Sequence, residues 1–300
     1  RYVVNATAVG AMPSLATALY SPIIQHAAIT GPQVMAENIS YRYPLTATQE
    51  SIVKTYLATK YGITLAQDYI ASDGTTKVYD LTANAPYTNN IFGIGRSDCE
   101  GLHQRQSKSV NPDGLITLGN NNIIDFTNGN TATSGNNIAT NSSYLLLGDN
   151  GAPLDLNTAT AFNGKYLVNR TWKLQETGTI GSVKISVPAF GNTSATATLP
   201  NLVGNLLFQN GTVYLAADND GNFANGGTTY YPMTAVGSGA TLTYEVTVDL
   251  TSAAPYLRFG VDQNQTDTDG DGVKDIFDFD ADVERSRDNK PYQRSSNDPQ

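Results

Sequence analysis

The sequence predicts a mainly β protein, an antiparallel jelly-roll-like β-sandwich with one short helix at about 47–61 and an acidic calcium-binding tail. Three observations predict it. Short runs of period-two alternation, separated by Gly, Asn and Pro turns, recur along most of the chain. Only Leu45 to Leu65, LTATQESIVKTYLATKYGITL, has the i, i+3, i+4 spacing of an amphipathic helix. Charged residues make up just 15% of a chain rich in Gly, Asn, Thr and Ser, which suits a β-rich extracellular protein better than a helical cytosolic enzyme. Three hundred residues can bury a sizeable core. The single Cys99 allows no internal disulfide, and a domain of this size needs none to be secreted.

From Tyr2 to Ala36 there is no Asp, Glu, Lys or Arg. Tyr2 to Val9 and Pro22 to Ile29 read as strands, and Pro22 can open one because a first residue need not donate to the ladder. A start at Arg1 is what a processed or excised product would show. Ala16-Thr17-Ala18 has the form of a signal-cleavage site, but Asn5, Gly10, Pro13 and Pro22 interrupt any apolar run around it. No stretch approaches the ~20 apolar residues of a membrane-spanning helix. Depletion of charge is also what the buried centre of an interface shows, so residues 1–44 are expected to self-associate. Tyr2, Val4, Ala6 and Ala8 would then cap a neighbour's sheet edge; packing back as the first strand of its own sandwich is the other arrangement. Met35, Glu37, Ile39, Tyr41 and Tyr43 alternate with their neighbours as a strand leading into Pro44.

Residues 45–65 form the helix and connector. The Thr46 hydroxyl and the Gln49 side chain can cap the first turn reciprocally, Gly62 stops the helix, and Ile52, Val53, Tyr56, Leu57 and Tyr61 make its apolar face. Residues 66–262 carry the sandwich. Its strands are Ile63 to Ile70, Thr76 to Leu81, Asn90 to Gly95, Gln104 to Val110, Leu115 to Leu118, Asn122 to Phe126, Tyr144 to Leu147, Tyr166 to Gln175 with Val168, Trp172 and Leu174 on one face, Ser182 to Val187, Asn205 to Phe208, Thr212 to Ala217, Thr229 to Val236, Thr241 to Asp249 and Tyr256 to Val261. Thr127 to Ser143 is polar and of low complexity, and reads as a mobile loop.

The helix, with Tyr69 to Asp80, Asn89 to Gly119, Asn169 to Val187 and Val213 to Phe223, is similar to a segment of large secreted and surface proteins of Bacteroidota and some marine bacteria. There an L-T-A-T/E-x-x-x-V-x-x-Y-L-A-x-K-Y-G-I-T-L helix precedes a β-sandwich of unassigned function. The resemblance spans roughly residues 45 to 262. It implies a sandwich in an extracellular or cell-surface setting, but no reaction and no catalytic residues.

Residues 263–300 carry the strongest chemical motif. Asp267, Asp269, Asp271, Asp275 and Asp278 stand at loop positions 1, 3, 5, 9 and 12, with Gly272 at 6 for the turn and the Val273 carbonyl at 7, an oxygen set suited to Ca²⁺. Position 12 is Asp where an EF-hand has Glu, and the pattern looks like the repeats of thrombospondin type 3 and dockerin modules; Asp280 and Asp282 begin a second, incomplete set. Between Asp262 and Glu284 nine acidic residues face only Lys274, a local charge of −8 that accounts for nearly all of the chain's −9. No Lys/Arg stripe exists to neutralise phosphates, so a nucleic-acid partner is not expected. Asp218-Asn219-Asp220-Gly221-Asn222 is a weaker relative that a hairpin turn explains on its own.

The catalytic inventory is poor. There are two histidines, His26 and His103, and six scattered glutamates, with no nucleophile elbow or phosphate loop. His103 near Asp98 and Cys99 has no diagnostic spacing. Arg96, Arg105 and Lys108 read as partners for carboxylates or carbonyls at a sheet edge. N-x-S/T sites at Asn5, Asn38, Asn141, Asn169, Asn192, Asn210 and Asn264 need not be used in a bacterial protein. Three readings follow: a non-catalytic structural or adhesive module of the bacterial surface or an extracellular filament, partnered by itself or other surface proteins; a glycan-binding accessory module using some of the seventeen tyrosines, against which Trp172 in the core counts; and a hydrolase. The first is the expectation.

Overall fold

The computed structural model describes residues 2–4, 7–10, 36–37, 39–111, 113–133, 135–154, 156–188, 212–238 and 241–262. β1 (Tyr2–Val4) and β2 (Thr7–Gly10) pair antiparallel with each other, so the single strand expected over Tyr2 to Val9 is a small hairpin instead. Local pairing satisfies the backbone groups of so short a segment. The strands expected at Pro22 to Ile29 and Asn205 to Phe208, and the whole acidic tail beyond Asp262, lie outside the described residues.

α1 (Ala47–Tyr61) is capped as its sequence requires. The Thr46 side chain accepts from the Gln49 N–H, the Gln49 side chain accepts from the Thr46 N–H, and Gly62 closes the helix in the left-handed conformation at φ 64°. Its inward face agrees with the expected one in part: Tyr56 and Leu57 pack against the core beneath the helix, but the most buried positions are others. The buried residues are Glu50, Thr55, Ala58 and Thr59, while Ile52, Val53, Tyr56 and Leu57 are only half-buried. Small side chains win because the helix lies close against its neighbours: Thr55 Oγ1 accepts from the Ile70 N–H at 2.7 Å, and Gly62 sits against the Lys108 carbonyl. Upstream, the described part of Met35 to Tyr43 forms no strand. Glu37 is drawn to the helix, accepting from Tyr56 Oη (2.9 Å), Lys60 Nζ (3.0 Å) and Tyr61 Oη (3.0 Å).

The hairpin of β3 (Tyr69–Ile70) and β4 (Lys77–Tyr79) follows, then β5 (Asn89–Ser97), β6 (Leu102–Gln104), β7 (Gln106–Lys108), β8 (Thr117–Asn120), β9 (Ser143–Asp149), β10 (Leu156–Phe162), β11 (Lys165–Val168), β12 (Trp172–Thr177), β13 (Ser182–Pro188), β14 (Val213–Asp218), β15 (Thr229–Pro232), β16 (Thr234–Val236), β17 (Thr243–Asp249) and β18 (Tyr256–Asp262). The protein is mainly β, and its antiparallel strands form a nine-stranded sheet facing a five-stranded one. β11 and β12 are consecutive parts of one bent strand lying along β18, whose other edge pairs with β14 and through it β15; β9, β5 and β6 continue the sheet from β12. The smaller sheet runs β16-β17-β13-β8-β7.

At both lateral edges a strand changes sheets. β6 becomes β7 across the single residue Arg105, and β15 becomes β16 across Met233. Strands of this kind make the corners of packed sheets. Between the sheets lies the main core, with Phe92, Ile94, Leu118, Leu145, Leu147, Val168, Trp172, Leu174, Ile185, Leu215 and Phe259 all buried. Trp172 meets Phe259 edge-on at 5.2 Å, and Val168, Trp172 and Leu174 share the inner face as expected. α1 and the β3–β4 hairpin cover part of the outer face of the large sheet, packing Ala58, Leu65, Tyr69, Val78 and Tyr79 on Ile91, Leu102, Tyr144 and Leu146.

Further expectations change, and of the strand expected at Ile63 to Ile70 only Tyr69–Ile70 is strand. Asn122 to Phe126 is turn and irregular chain, not strand, and leaves Ile123 and Phe126 exposed; β10 was not expected, because between Leu156 and Phe162 its apolar residues are only the two alanines among Asn and Thr. Among its described residues Thr127 to Ser143 is a loop up to Ser143, which opens β9, and hydrogen bonds tie it to the sheets. Buried Arg105 donates to the carbonyls of Asn128 (2.7 Å) and Gly135 (2.9 Å), Asn130 Oδ1 accepts from the Arg105 and Gln106 N–H groups, Asn136 and Asn120 exchange hydrogen bonds, and Arg96 holds the carbonyls of Ile138 and Ala139.

Candidate functional site

Along β18 residues alternate between the core and the outer face. Leu257, Phe259 and Val261 point inward, which puts Tyr256, Arg258 and Asp262 outside. The same alternation puts Lys173 of β12 and Tyr214 of β14 on the outer face. One part of that face is covered by α1 and the β3–β4 hairpin, and another by the loop after β14, whose Phe223 is buried against Leu167 and Ala216. Between these two covers a strip remains, made of Thr171, Lys173, Tyr256 and Arg258 with Tyr87 beside it.

The strip pairs cations with rings. Lys173 Nζ lies 5.3 Å from the Tyr256 ring centroid and donates to the Ala83 carbonyl at 2.9 Å. The Arg258 guanidinium lies 4.7 Å over the Phe223 ring, while its Nε donates to Thr171 Oγ1 at 2.8 Å. Tyr87 and Tyr256 meet edge to face at 5.6 Å. All but buried Thr171 and Phe223 are half-buried. Neither Lys173 nor Arg258 has a carboxylate within ion-pair distance among the described residues, and the terminal NH₂ groups of Arg258 make no hydrogen bond there. Burial pulls the Arg258 pKa below its ordinary value, against the opposing influence of Tyr87 and Asp218. Burial, then Tyr256, raises that of Tyr87. Farther along the face Lys165 is already committed, stacked on Tyr214 and Tyr230 at 4.5 and 5.0 Å and paired with Asp262 at 3.3 Å.

The residues singled out in the sequence fare differently. Asp267, Asp269, Asp271, Val273, Asp275 and Asp278 lie outside the described residues. In the loop after β14, buried Asp218 accepts from the N–H groups of Asp220 and Gly221 and from Thr228 Oγ1, and Asp220 accepts from the Asn222 N–H and Asn225 Nδ2. Its carboxylates are thus occupied in shaping the turn that carries Phe223. Cys99 is exposed in the β5–β6 turn, Asp98 is held by Arg96 at 2.7 and 3.0 Å, and His103 Nδ1 is buried without a hydrogen-bond partner; the structure does not join the three into a thiol site. Arg96 and Arg105 do pair with carboxylate or carbonyl groups, whereas Lys108 lies 5.9 Å from the Phe126 ring. Among the described residues no group of three or more His, Cys, Asp or Glu could hold a metal ion, and no helix is long and apolar enough to cross a membrane.

Sequence reasoning missed the strip. The available signal was the alternation in Tyr256-Leu-Arg258-Phe259-Gly-Val261, which puts a tyrosine and an arginine on the face opposite the core. Compared with known proteins, residues 49–254 match the model of a family described as Domain of unknown function (DUF8202). No curated protein matches the chain, and no solved structure does.

Proposed function

The chain belongs to the DUF8202 family, whose description assigns no reaction, and on that footing we propose that it is a non-catalytic structural or adhesive module of the bacterial cell surface or an extracellular filament. The observation that supports this reading is the stitching of the sandwich. A strand passes between the sheets at each edge, at Arg105 and at Met233, so neither sheet can slide on the other without breaking ladder hydrogen bonds. A layered scaffold tied in this way suits bearing load. Calcium bound by Asp267, Asp269, Asp271, Asp275, Asp278 and the Val273 carbonyl would stiffen the segment after β18, and the uncharged N-terminal segment would join neighbouring subunits.

The test has three arms. Electron micrographs of the purified chain should show polymers, and deletion of residues 1–9 should leave folded monomers. Calorimetric titration should detect calcium binding to the full chain and none to an Asp269→Ala/Asp271→Ala variant, because nine acidic groups in so short a span repel one another without a cation. Equal calcium binding by the two removes the metal site. Monomers throughout in light scattering remove the assembly role, and turnover of any substrate in a broad screen removes the non-catalytic reading.

A second reading, a glycan-binding accessory module, is favoured by the strip between the two covers. Half-buried tyrosines beside cations that have no carboxylate partner among the described residues offer both an apolar surface and hydrogen-bond donors, the combination by which polar, flat-faced ligands are held.

A further inference from the structure

Among the described residues neither cation of the strip, Lys173 or Arg258, has a carboxylate within ion-pair distance, and this decides which ligand it suits. Among the described residues Lys60, Lys77, Arg96, Lys165, Arg170 and Lys184 sit within 4.0 Å of a carboxylate, whereas Arg42, Lys54, Arg105 and Lys108 are held by rings, an amide or carbonyls instead. Lys173 and Arg258 also lack a carboxylate partner there, and β12 and β18 place these two on one face of adjacent strands, Lys173 in register with Tyr256. The neighbouring carboxylate is Asp218, which is buried and accepts from two backbone N–H groups and from Thr228. Arg258 is also preset. Its Nε donates to Thr171 and its Cζ lies 4.7 Å over the Phe223 ring, so the terminal NH₂ groups are positioned before any ligand arrives. A planar guanidinium held in this way matches a carboxylate through two parallel hydrogen bonds. Tyr87 and Tyr256 add rings against which the C–H face of a pyranose can lie.

We propose that this strip binds an acidic polysaccharide, a uronic-acid residue placing its carboxylate on Arg258 and Lys173 and its ring against Tyr256 and Tyr87. The proposal rests on the glycan-binding reading and names its ligand class. It needs no calcium, since the groups involved are all on β12, β18 and the loop holding Tyr87.

The test is a calorimetric or surface-resonance titration of the full chain, in calcium-free buffer at fixed ionic strength, with a short oligogalacturonate and with its methyl ester. Arg258→Gln, Lys173→Met and Tyr87→Ala are compared with the parent, and thermal melts establish that each is folded. Affinity for the acid is expected to fall at least about tenfold in Arg258→Gln and Lys173→Met, the loss of one charge-assisted contact. The methyl ester should bind the parent at least about tenfold more weakly than the acid. Equal affinity for acid and ester overturns the acidic specificity while leaving glycan binding in place. Undiminished affinity in the folded Arg258→Gln and Lys173→Met variants overturns the location. A single-stranded oligonucleotide bound as tightly as the uronate would make the strip a general polyanion surface and overturn the proposal as well. If the parent binds neither sugar yet forms filaments in micrographs, the glycan reading falls and the structural one stands.

Discussion

At the scale of single residues, Gly62 separates what a sequence discloses from what it conceals. Its place after Tyr61 marks a helix stop, and φ 64° is the left-handed conformation that stop requires. Less visible is that a Cβ there would lie 2.1 Å from the Lys108 carbonyl oxygen, while the Gly62 carbonyl itself accepts from the Val110 N–H. The backbone of the helix end is thus seated directly on the end of β7. Gly62→Ala should therefore lose about 2–4 kcal/mol, combining left-handed strain with the clash. Gly62→Asn distinguishes the two causes. Asn tolerates the left-handed region, so if conformation alone mattered it would recover most of the loss; the contact predicts that it recovers little. Urea denaturation of the three proteins decides, and an Asn variant as stable as the parent removes the clash from the explanation.

Among elements, the fold was legible where local rules suffice. The capping box of α1 and the inward set Val168, Trp172 and Leu174 need only neighbours in sequence to be recognised. Gln104 to Val110 and Thr229 to Val236 each read as one strand, yet each is split between the two sheets. Period-two alternation reports which side of a strand is buried and does not report the sheet in which it finds its partner. The α1 face was read only in part for a similar reason: Tyr56 and Leu57 do pack on the core, but apolarity also favours Ile52 and Val53, whereas close approach favours Thr55, Ala58 and Thr59. The strip of Lys173 and Arg258 depends on β12 and β18 becoming neighbours, which spacing alone does not disclose. The loop after Phe126 was unreadable because its anchor, Arg105, lies far from it in sequence. Arg105→Met should leave the Gly135 carbonyl without its Arg105 donor and the Asn128 carbonyl with Gln106 Nε2 in place of two donors, at a cost of about 2 kcal/mol. Hydrogen exchange should speed up at least about tenfold over residues 127–139, while exchange in β9 and β12 slows or speeds only with global stability. Unchanged protection across the loop would show that Arg105 does not hold it.

For the whole molecule, the titrating groups set two limbs of stability. On the acid side, hydrogen bonds from Thr76 and from the Thr75 and Thr76 N–H groups lower Asp73 to about 2, and Asp80, Asp98 and Asp125 are lowered by Lys77, Arg96 and Thr127 respectively. Such groups stabilise the fold above their unfolded pKa near 4 and lose that contribution as pH falls through the folded value. Asp149 acts oppositely. Burial raises it despite Asn90 and the Gly151 N–H, so its contribution is full below the unfolded pKa and fades as pH rises through the folded one. The alkaline limb is simpler, because burial raises Tyr69, Tyr79 and Tyr144, the last to about 12. A raised folded pKa means stability held below the unfolded value near 10 and lost above it, at up to about 1.4 kcal/mol per pH unit for each tyrosine. Tyr69 and Tyr79 meet edge-on at 6.1 Å beneath α1; Tyr79 Oη donates to the Tyr87 carbonyl at 2.6 Å, and Tyr69 Oη donates to the Ile63 carbonyl while accepting from the Leu65 N–H. Ionising either removes a donor and leaves a buried negative charge. The Tyr69→Phe/Tyr79→Phe variant should be less stable at pH 8 by about 2 kcal/mol, for the lost hydrogen bonds, yet show a shallower decline between pH 10 and 12. Chemical denaturation at each pH compares the slopes, and equal slopes would mean that other groups govern the alkaline limb.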